Sequence, residues 1–525
     1  MMLLSQAAQV LGGKLIPFDS AQGGGADVEF VAVSSDSRTI APGDLFVALQ
    51  GENFDGAAFV ASAAQSGAAA ALVNTASFLG GKAACPLLLV EDTRLALGRL
   101  AAHWRAQFAI PVVAVTGSNG KTTVKEMLAS ILRIHTQEEA NDSSLSQRGI
   151  TSDLAAVSGQ PSRMAITNDL AVVVGQPSQM ASSSTSSSIR VGEGERLAET
   201  AVLATSGNLN NDIGMPLTLL KLRAHHRYAV IEMGMNHSGE IDYLTRLACP
   251  DVAVINNAGS AHLAGLGSVE AVARAKGEIL AGLAEGGIAV INADDAYAPL
   301  WRELAGKRAV IEFGLDRNVA VHAQWRPQNH GAHIEAGTPQ GSFNATLHVP
   351  GVHNVRNALA ATAAALALHV ALPVIAAGLE RFSGVAGRLQ RKAALHGAVL
   401  IDDSYNANPA SLRAALKVLA QADGEKILVL GDMGELGADA VRLHGEIGAE
   451  ARRLGVSKLL ALGKLTAHTV NEFGAGARHF ERIEDLLATL DKDLDAGSTV
   501  LVKGSRFMRM ERVVAHCVSE EQKCS

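Results

Sequence analysis

The chain has 525 residues, 48% of them hydrophobic, which is too long for one core and ample for several; two to four domains are expected. Its 45 basic and 52 acidic residues leave a formal net charge of −7. That argues against nonspecific nucleic-acid binding but not against binding a nucleotide, which needs only local positive charge. Cys85, Cys249, Cys517 and Cys524 form no C-x-x-C pattern, so neither a zinc site nor a disulfide framework is indicated and a reducing cytoplasm fits. The start, Met1-Met2-Leu3-Leu4-Ser5-Gln6, has no basic stretch leading into a long apolar run. No apolar run is long enough to span a bilayer: 358–368 is Ala-rich and reads as a core helix, and 370–377 is short and broken by Pro373.

Three segments follow in chain order. The first, 1–108, has short strand-like runs at 30–33, 45–49, 70–73 and 87–90 between alanine-rich helical runs. The second, 109–382, alternates apolar strands at 112–115, 229–232, 252–255, 288–291 and 310–313 with helices. Near-continuous apolar strands separated by helices predict a doubly wound parallel sheet covered on both faces. The third, 383–525, repeats the pattern with strands at 399–402, 427–430, 459–462 and 499–502, a Rossmann-like unit. The expected fold class is therefore α/β in three domains. Ligands in such sheets sit beyond the C-terminal ends of the strands, where Glu232, Asn256, Asn292, Asp402 and Gly431 stand.

One stretch breaks the rhythm. From about 135 to 201 the composition turns polar and Ser-rich, and Thr151-Ser152-Asp153-Leu154-Ala155 recurs as Thr167-Asn168-Asp169-Leu170-Ala171 within a longer tandem repeat. Two copies are too few for a solenoid, so an insertion outside the core is expected.

The densest chemistry lies at Thr116-Gly117-Ser118-Asn119-Gly120-Lys121-Thr122-Thr123. It follows an apolar strand and opens a helical run. Backbone N–H groups of such a turn, and the positive end of the helix, face the phosphates of a bound nucleotide. Lys121 would reach the β and γ oxygens, and the Thr122 hydroxyl can ligate Mg²⁺. Val115 stands where the longer form of this loop has its first glycine, so the motif is the shorter Gly-x-x-Gly-Lys-Thr. Glu232 can share a Mg²⁺ with Thr122, since Mg²⁺ prefers oxygen ligands and substrate phosphates; a lone strand-end Glu is more often a solvated acid. Taken alone, His262 is an unassigned histidine and Lys276 an ordinary helix-surface lysine. His353, Asn354 and Asn357 precede an Ala-rich helix; asparagine reads adenine edges, and it also caps helices. Arg388, Asp402 and Asp403 at a domain junction suit a nucleotide gripped between domains, or a capped turn before Pro409.

In this order the pieces resemble the Mur ligase family. The resemblance rests on Ser34-x-Asp36-Ser37-Arg38, Pro42-Gly43-Asp44-Leu45-Phe46, the Gly-Lys-Thr-Thr loop and Gly207-Asn208-Leu209-Asn210-Asn211-Asp212. It continues through Glu232-Met233-Gly234, Ala261-His262-Leu263, Ala275-Lys276-Gly277-Glu278 and His353-Asn354. The residues 402–408, Gly431-Asp432-Met433-Gly434-Glu435-Leu436-Gly437 and Lys503-Gly504-Ser505-Arg506 complete it, over the whole chain except the insertion.

The resemblance implies a cytoplasmic, monomeric, ATP- and Mg²⁺-dependent ligase joining D-alanyl-D-alanine to a UDP-N-acetylmuramoyl tripeptide through an acyl phosphate. The first domain would bind the UDP end of that substrate, the second ATP and the third the dipeptide. Gly117, Asn119, Gly120, Lys121, Thr122, Thr123, Asn292, His353, Asn357, Arg388 and Asp402 would bind ATP. Ser37, Arg38, Asp44, Asn208, Asn210, Asn211, Asn406 and Asn408 would bind the other substrates. Thr122 and Glu232 would hold one Mg²⁺; His262 and a carbamylated Lys276 would serve a second. Lys121, Lys276 and His262 would be catalytic. Two rivals stand beside this: a sister ligase adding the third amino acid, and a P-loop regulator that binds ATP without turnover. The segment 431–437 has no Asp-Asn-Pro-Arg-like motif for a diamino acid, which disfavours the first.

Overall fold

In the computed structural model, residues 1–18, 27–51, 54–77, 83–147, 200–328 and 331–518 are described. Both copies of the tandem repeat lie outside them. Three main sheets define a three-domain α/β fold. The first has five strands in the order Lys14–Ile16, Leu87–Val90, Ala70–Asn74, Asp44–Val47, Ala32–Ser34, with only the outermost Lys14–Ile16 antiparallel.

The central sheet has nine strands: Gly341–Leu347, Gly331–Thr338, Val321–Gln328, Ala309–Gly314, Ile288–Asn292, Val252–Ile255, Val112–Thr116, Tyr228–Glu232 and Val202–Ala204. The chain leaves Val112–Thr116 and returns first on one side of it, at Tyr228–Glu232, then on the other, at Val252–Ile255. Such a reversal of strand order opens a crevice at the strands' C-terminal ends. Register pairs Glu232 with Val115 and Ile255 with Thr116, so Glu232, Asn256 and the turn at Gly117 end side by side.

Helix Lys121–Gln147 starts at that turn. Val124, Met127, Leu128, Ile131 and Leu132 are all fully buried, an i, i+3, i+4, i+7, i+8 stripe that seats it on the sheet. It packs so closely on helix Leu372–Arg381 that a Cβ on Gly378 would lie 2.4 Å from Ile131 Cα. The expected break at 135 is corrected here: the helix runs on through Gln147. Beside it the Ala-rich helix Val352–Ala367 is buried along most of its length, small side chains letting it lie close to the sheet.

The parallel sheet expected for the second segment is present, and it carries an edge the sequence reading did not anticipate. Val321–Gln328, Gly331–Thr338 and Gly341–Leu347 form an antiparallel edge. Ala332, Ile334 and Ala336 point inward and alternate with more exposed residues. That period of two is invisible to a reading tuned to continuous apolar runs.

The third sheet has six strands in the order Gln390–Ala393, Val399–Asp403, Ser498–Lys503, Glu425–Gly431, Lys458–Leu462, Ala477–Phe480, antiparallel only at its Gln390–Ala393 edge. Residues 382–389 lead into it from the central domain. Among the described residues, no helix is long and apolar enough to cross a membrane.

Candidate active site

A cleft of about 910 Å³ lies where the C-terminal ends of the central and third sheets face each other. Its floor is the Gly117–Lys121 turn. Gly120 sits at φ +80°, and a Cβ there would meet Asn357 Oδ1 at 2.3 Å and Asn256 Nδ2 at 2.5 Å, so only glycine fits. Asparagines brace the turn. Asn119 N donates to Asn257 Oδ1 at 2.8 Å, and Asn256 Nδ2 and Asn257 Nδ2 donate back to Asn119 O at 2.9 and 3.0 Å. Asn256 Nδ2 also donates to Asn357 Oδ1 at 2.9 Å, Asn357 Nδ2 to Asn354 Oδ1 at 3.1 Å, and Asn292 Nδ2 to Asn256 O at 2.8 Å. Asn357 and Asn292 thus spend their side-chain amides holding the turn.

Lys121 Nζ donates to Gly117 O at 2.8 Å, folded back over the turn. Desolvation lowers its pKa, with Glu232 opposing. Thr122 Oγ1 donates to Glu232 Oε2 at 2.7 Å, and Asn210 Nδ2 donates to Glu232 Oε1 at 2.7 Å. The Thr-Glu pair and the 208–211 loop therefore meet as one oxygen-rich corner. Asn208, Asn210 and Asn211 all line the cleft. Asn211 Oδ1 also accepts from Gly214 N at 2.8 Å and so fixes the start of the next helix. Asp212 pairs with Arg94 of the first domain.

The third domain reaches across. Arg388 Nη2 donates to Thr122 Oγ1 at 2.8 Å, its guanidinium lying 4.4 Å from the Tyr405 ring centroid. Asn408 caps helix Pro409–Ala420 through Ser411 N and donates from Nδ2 to Asn119 Oδ1 at 2.8 Å. Glu435 Oε2 stands 2.9 Å from His262 Nδ1, and both residues hold positive φ, +61° and +58°. Non-glycine residues persist there only when their surroundings hold them, here by the meeting of two domains. His353 also lines the cleft; burial, with Lys503 and Arg356 nearby, pushes its imidazole down to about 4.

Lys276 corrects the reading of an ordinary surface lysine. It is 1% exposed, and burial first, then the nearby Lys121 charge, hold its ammonium well below the usual lysine range. Asp402 is also corrected. It does not line the cleft: it accepts from Lys392 Nζ at 2.7 Å and from Ser404 Oγ at 2.6 Å. Successive strand residues point to opposite faces, and it is Asp403 that enters the cleft, paired with Lys503. Asn406 lines the cleft, its carbonyl accepting from Lys503 Nζ at 2.9 Å.

Ser37, Arg38 and Asp44 do not reach the cleft. Arg38 is 86% exposed and forks onto Asp36 at 2.9 and 2.7 Å; that pairing lowers Asp36 to about 2. Asp44 is buried, its carboxylate accepting from Ala41 N at 3.0 Å within the Pro42-Gly43 turn. The sequence reading missed Tyr405, Lys503, Glu435 and Phe507 as cleft residues, although all but Phe507 sit inside motifs it quoted. Only Lys503, ending a buried strand as a lone lysine, carried a signal of its own.

A strand–glycine turn–Lys-Thr–helix unit in the central domain, roofed by a second α/β domain, defines an ATP-dependent ligase class. The chain belongs to the Mur ligase family. Its residues 29–105, 183–365 and 387–506 match, in turn, the Mur ligase family catalytic domain, the Mur ligase middle domain and the Mur ligase glutamate ligase domain. It is 39% identical to the UDP-N-acetylmuramoyl-tripeptide–D-alanyl-D-alanine ligase of Escherichia coli (strain K12), over 97% of each chain. Among solved structures it resembles MurF from Acinetobacter baumannii, with a TM-score of 0.77, 35% identity and 97% of each chain covered. It also resembles the MurF ligase of Thermotoga maritima in complex with ADP, with a TM-score of 0.71, 25% identity and 94% and 98% covered.

Proposed function

We infer from the cleft how this chain carries out its chemistry. It is an ATP-dependent acid–amino-acid ligase that adds D-alanyl-D-alanine to UDP-N-acetylmuramoyl tripeptide in peptidoglycan synthesis. The domain limits that go with this reading are 1–108, 109–382 and 383–525. One observation supports the assignment of the cleft above others: the phosphate-type turn at Gly117–Lys121 lies within reach of Arg388 and Asn408 from the domain opposite.

A carboxylate is a poor acyl donor until one of its oxygens becomes a phosphate leaving group. The tripeptide's terminal carboxylate oxygen attacks the γ-phosphorus and ADP leaves. The dipeptide amine then attacks the acyl carbon, inorganic phosphate leaves and the amine proton is lost. Lys121, unfolded from Gly117 O, neutralises charge on the γ-phosphate, and Arg388 brings a second positive charge to the same corner. Asn208, Asn210 and Asn211 hold the tripeptide end. Tyr405, Asn406, Asn408 and Glu435 line the side from which the amine arrives. The exposed Arg38, with Ser37, faces the UDP end, while Asp44 shapes the turn beside them.

The residues present fit Mg²⁺. Thr122 and Glu232 offer hard oxygen donors 2.7 Å apart, with Asn210 orienting the carboxylate. When bound, the ion lowers the repulsion between the two anions. His262 Nδ1 is buried without an aligned hydrogen bond, and burial, with the nearby Lys121 charge, shifts Lys276 toward the uncharged amine, the direction carbamylation requires. The carbamate would supply the oxygen a lysine lacks, and these two residues would serve a second ion. The test is mass spectrometry of the product from purified precursors, alongside ADP release with each substrate omitted in turn. ADP release indifferent to both substrates would overturn the ligase reading in favour of ATP binding without ligation.

A further inference from the structure

A second groove, of about 380 Å³, lies between the helix Lys121–Gln147 and the chain entering the third domain, and shares no lining residue with the cleft. Its walls carry Arg133, Arg381, Glu126, Ser130 and Ser383. Arg133 Nε is shut off from solvent and meets no acceptor. Among the described residues, neither Arg133 nor Arg381 has an ion-pair partner for its guanidinium. The groove's carboxylate, Glu126, is already matched by Lys125 Nζ at 2.7 Å. The two arginines therefore leave the groove a surplus of positive charge. The Ser130 hydroxyl donates to Gly378 O at 2.8 Å and keeps its lone pairs free.

Arg133 Nε is itself closed to solvent, so it is the rest of the Arg133 guanidinium, with that of Arg381, that an anion entering the groove would meet. A guanidinium fork matches the paired oxygens of an oxyanion. A carboxylate has oxygens for one such fork; a phosphate has enough for both. We propose that this groove is a phosphate-oxyanion site, distinct from the nucleotide site, for inorganic phosphate or the phosphate end of a small monoester. Its position gives it a consequence. The wall at 382–386 contains Gly384 at φ +106° and runs on through Gly387 to Arg388, which holds Thr122. An anion braced between Arg133 and this wall favours the arrangement in which Arg388 reaches the phosphate turn.

The test uses the full chain with its nucleotide site saturated by a non-hydrolysable ATP analogue. Inorganic phosphate, and in a second arm glycerol phosphate, is titrated calorimetrically at fixed ionic strength. The expected result is one further site for phosphate, weakened about tenfold or more in Arg133→Gln and in the exposed variant Arg381→Gln. Tighter binding of glycerol phosphate assigns the site to a monoester, and equal or weaker binding to the free ion. Phosphate should also slow amide exchange over 383–387 in the unsubstituted chain and not in either variant. Without added phosphate, both variants should ligate at the unsubstituted rate. No phosphate binding once the nucleotide site is filled, or binding indifferent to both substitutions, overturns the proposal.

Discussion

Replacing Lys503 by methionine removes half of a buried ion pair and leaves the other half in place. Lys503 is 2% exposed and Asp403 8%. The ammonium donates to the Asp403 carboxylate and to Asn406 O. Methionine keeps most of the stem and loses the charge. Breaking one side of a buried pair costs about 3–5 kcal/mol, because the remaining carboxylate is left unpaired. Calorimetry of the full chain should show the third domain's transition falling by roughly 10 °C or more. Adding Asp403→Asn should recover most of that loss, since the amide oxygen can keep the bond from Leu389 N at 3.2 Å and no charge stays buried. The pH dependence has a definite sign. Burial raises the Asp403 carboxyl above its usual 3.8, and Lys503 opposes this. Without Lys503 it rises further. A carboxyl raised in the folded state costs nothing below its unfolded value and destabilises as pH climbs through the folded one. The deficit of Lys503→Met should therefore shrink on acidification toward pH 4. A single variant within about 1 kcal/mol of the unsubstituted chain, or a double variant no better than the single, would refute the reasoning.

Lys121→Ala should leave circular dichroism unchanged and cut ligation turnover by about 3 kcal/mol of transition-state stabilisation or more, read from steady-state rates. Lys276→Ala should be nearly inactive and partly rescued by small added carboxylates, and bicarbonate depletion should slow the unsubstituted chain. A high-resolution map with a bare amine far from any metal would count against that role. His353 is depressed from 6.5 to about 4, so its contribution to stability is complete above 6.5 and is lost as pH falls toward 4. That amounts to at most about 3 kcal/mol, less because solvent reaches part of the ring. Denaturant unfolding of the chain and of His353→Gln across this range should show the slope only where the histidine is present.

The repeating strands and the Gly-Lys-Thr turn were legible because they depend on local rules. A buried parallel strand must be apolar along its length, and a phosphate turn must place glycine where a Cβ cannot fit. The antiparallel edge of the central sheet was missed because its alternation is weak and its outer faces mix polar and apolar residues. Lys276 looked like a surface lysine because nothing local reveals what covers a helix face. Asp402 and Asp403 could not be told apart, since the pleat decides which of two neighbours enters the cleft. The crossing contacts of Arg388, Asn408 and Glu435 join residues far apart in sequence, set by how two domains meet.

The central claim is that the tripeptide carboxylate takes the γ-phosphoryl group before the dipeptide amine attacks. Oxygen-18 tracing tests it most directly. Tripeptide substrate labelled in both oxygens of its terminal carboxylate is turned over with ATP and D-alanyl-D-alanine, and the released phosphate is analysed by mass spectrometry. The account predicts one labelled oxygen in each phosphate, in step with ligated product. Unlabelled phosphate accompanying full ligation would contradict it.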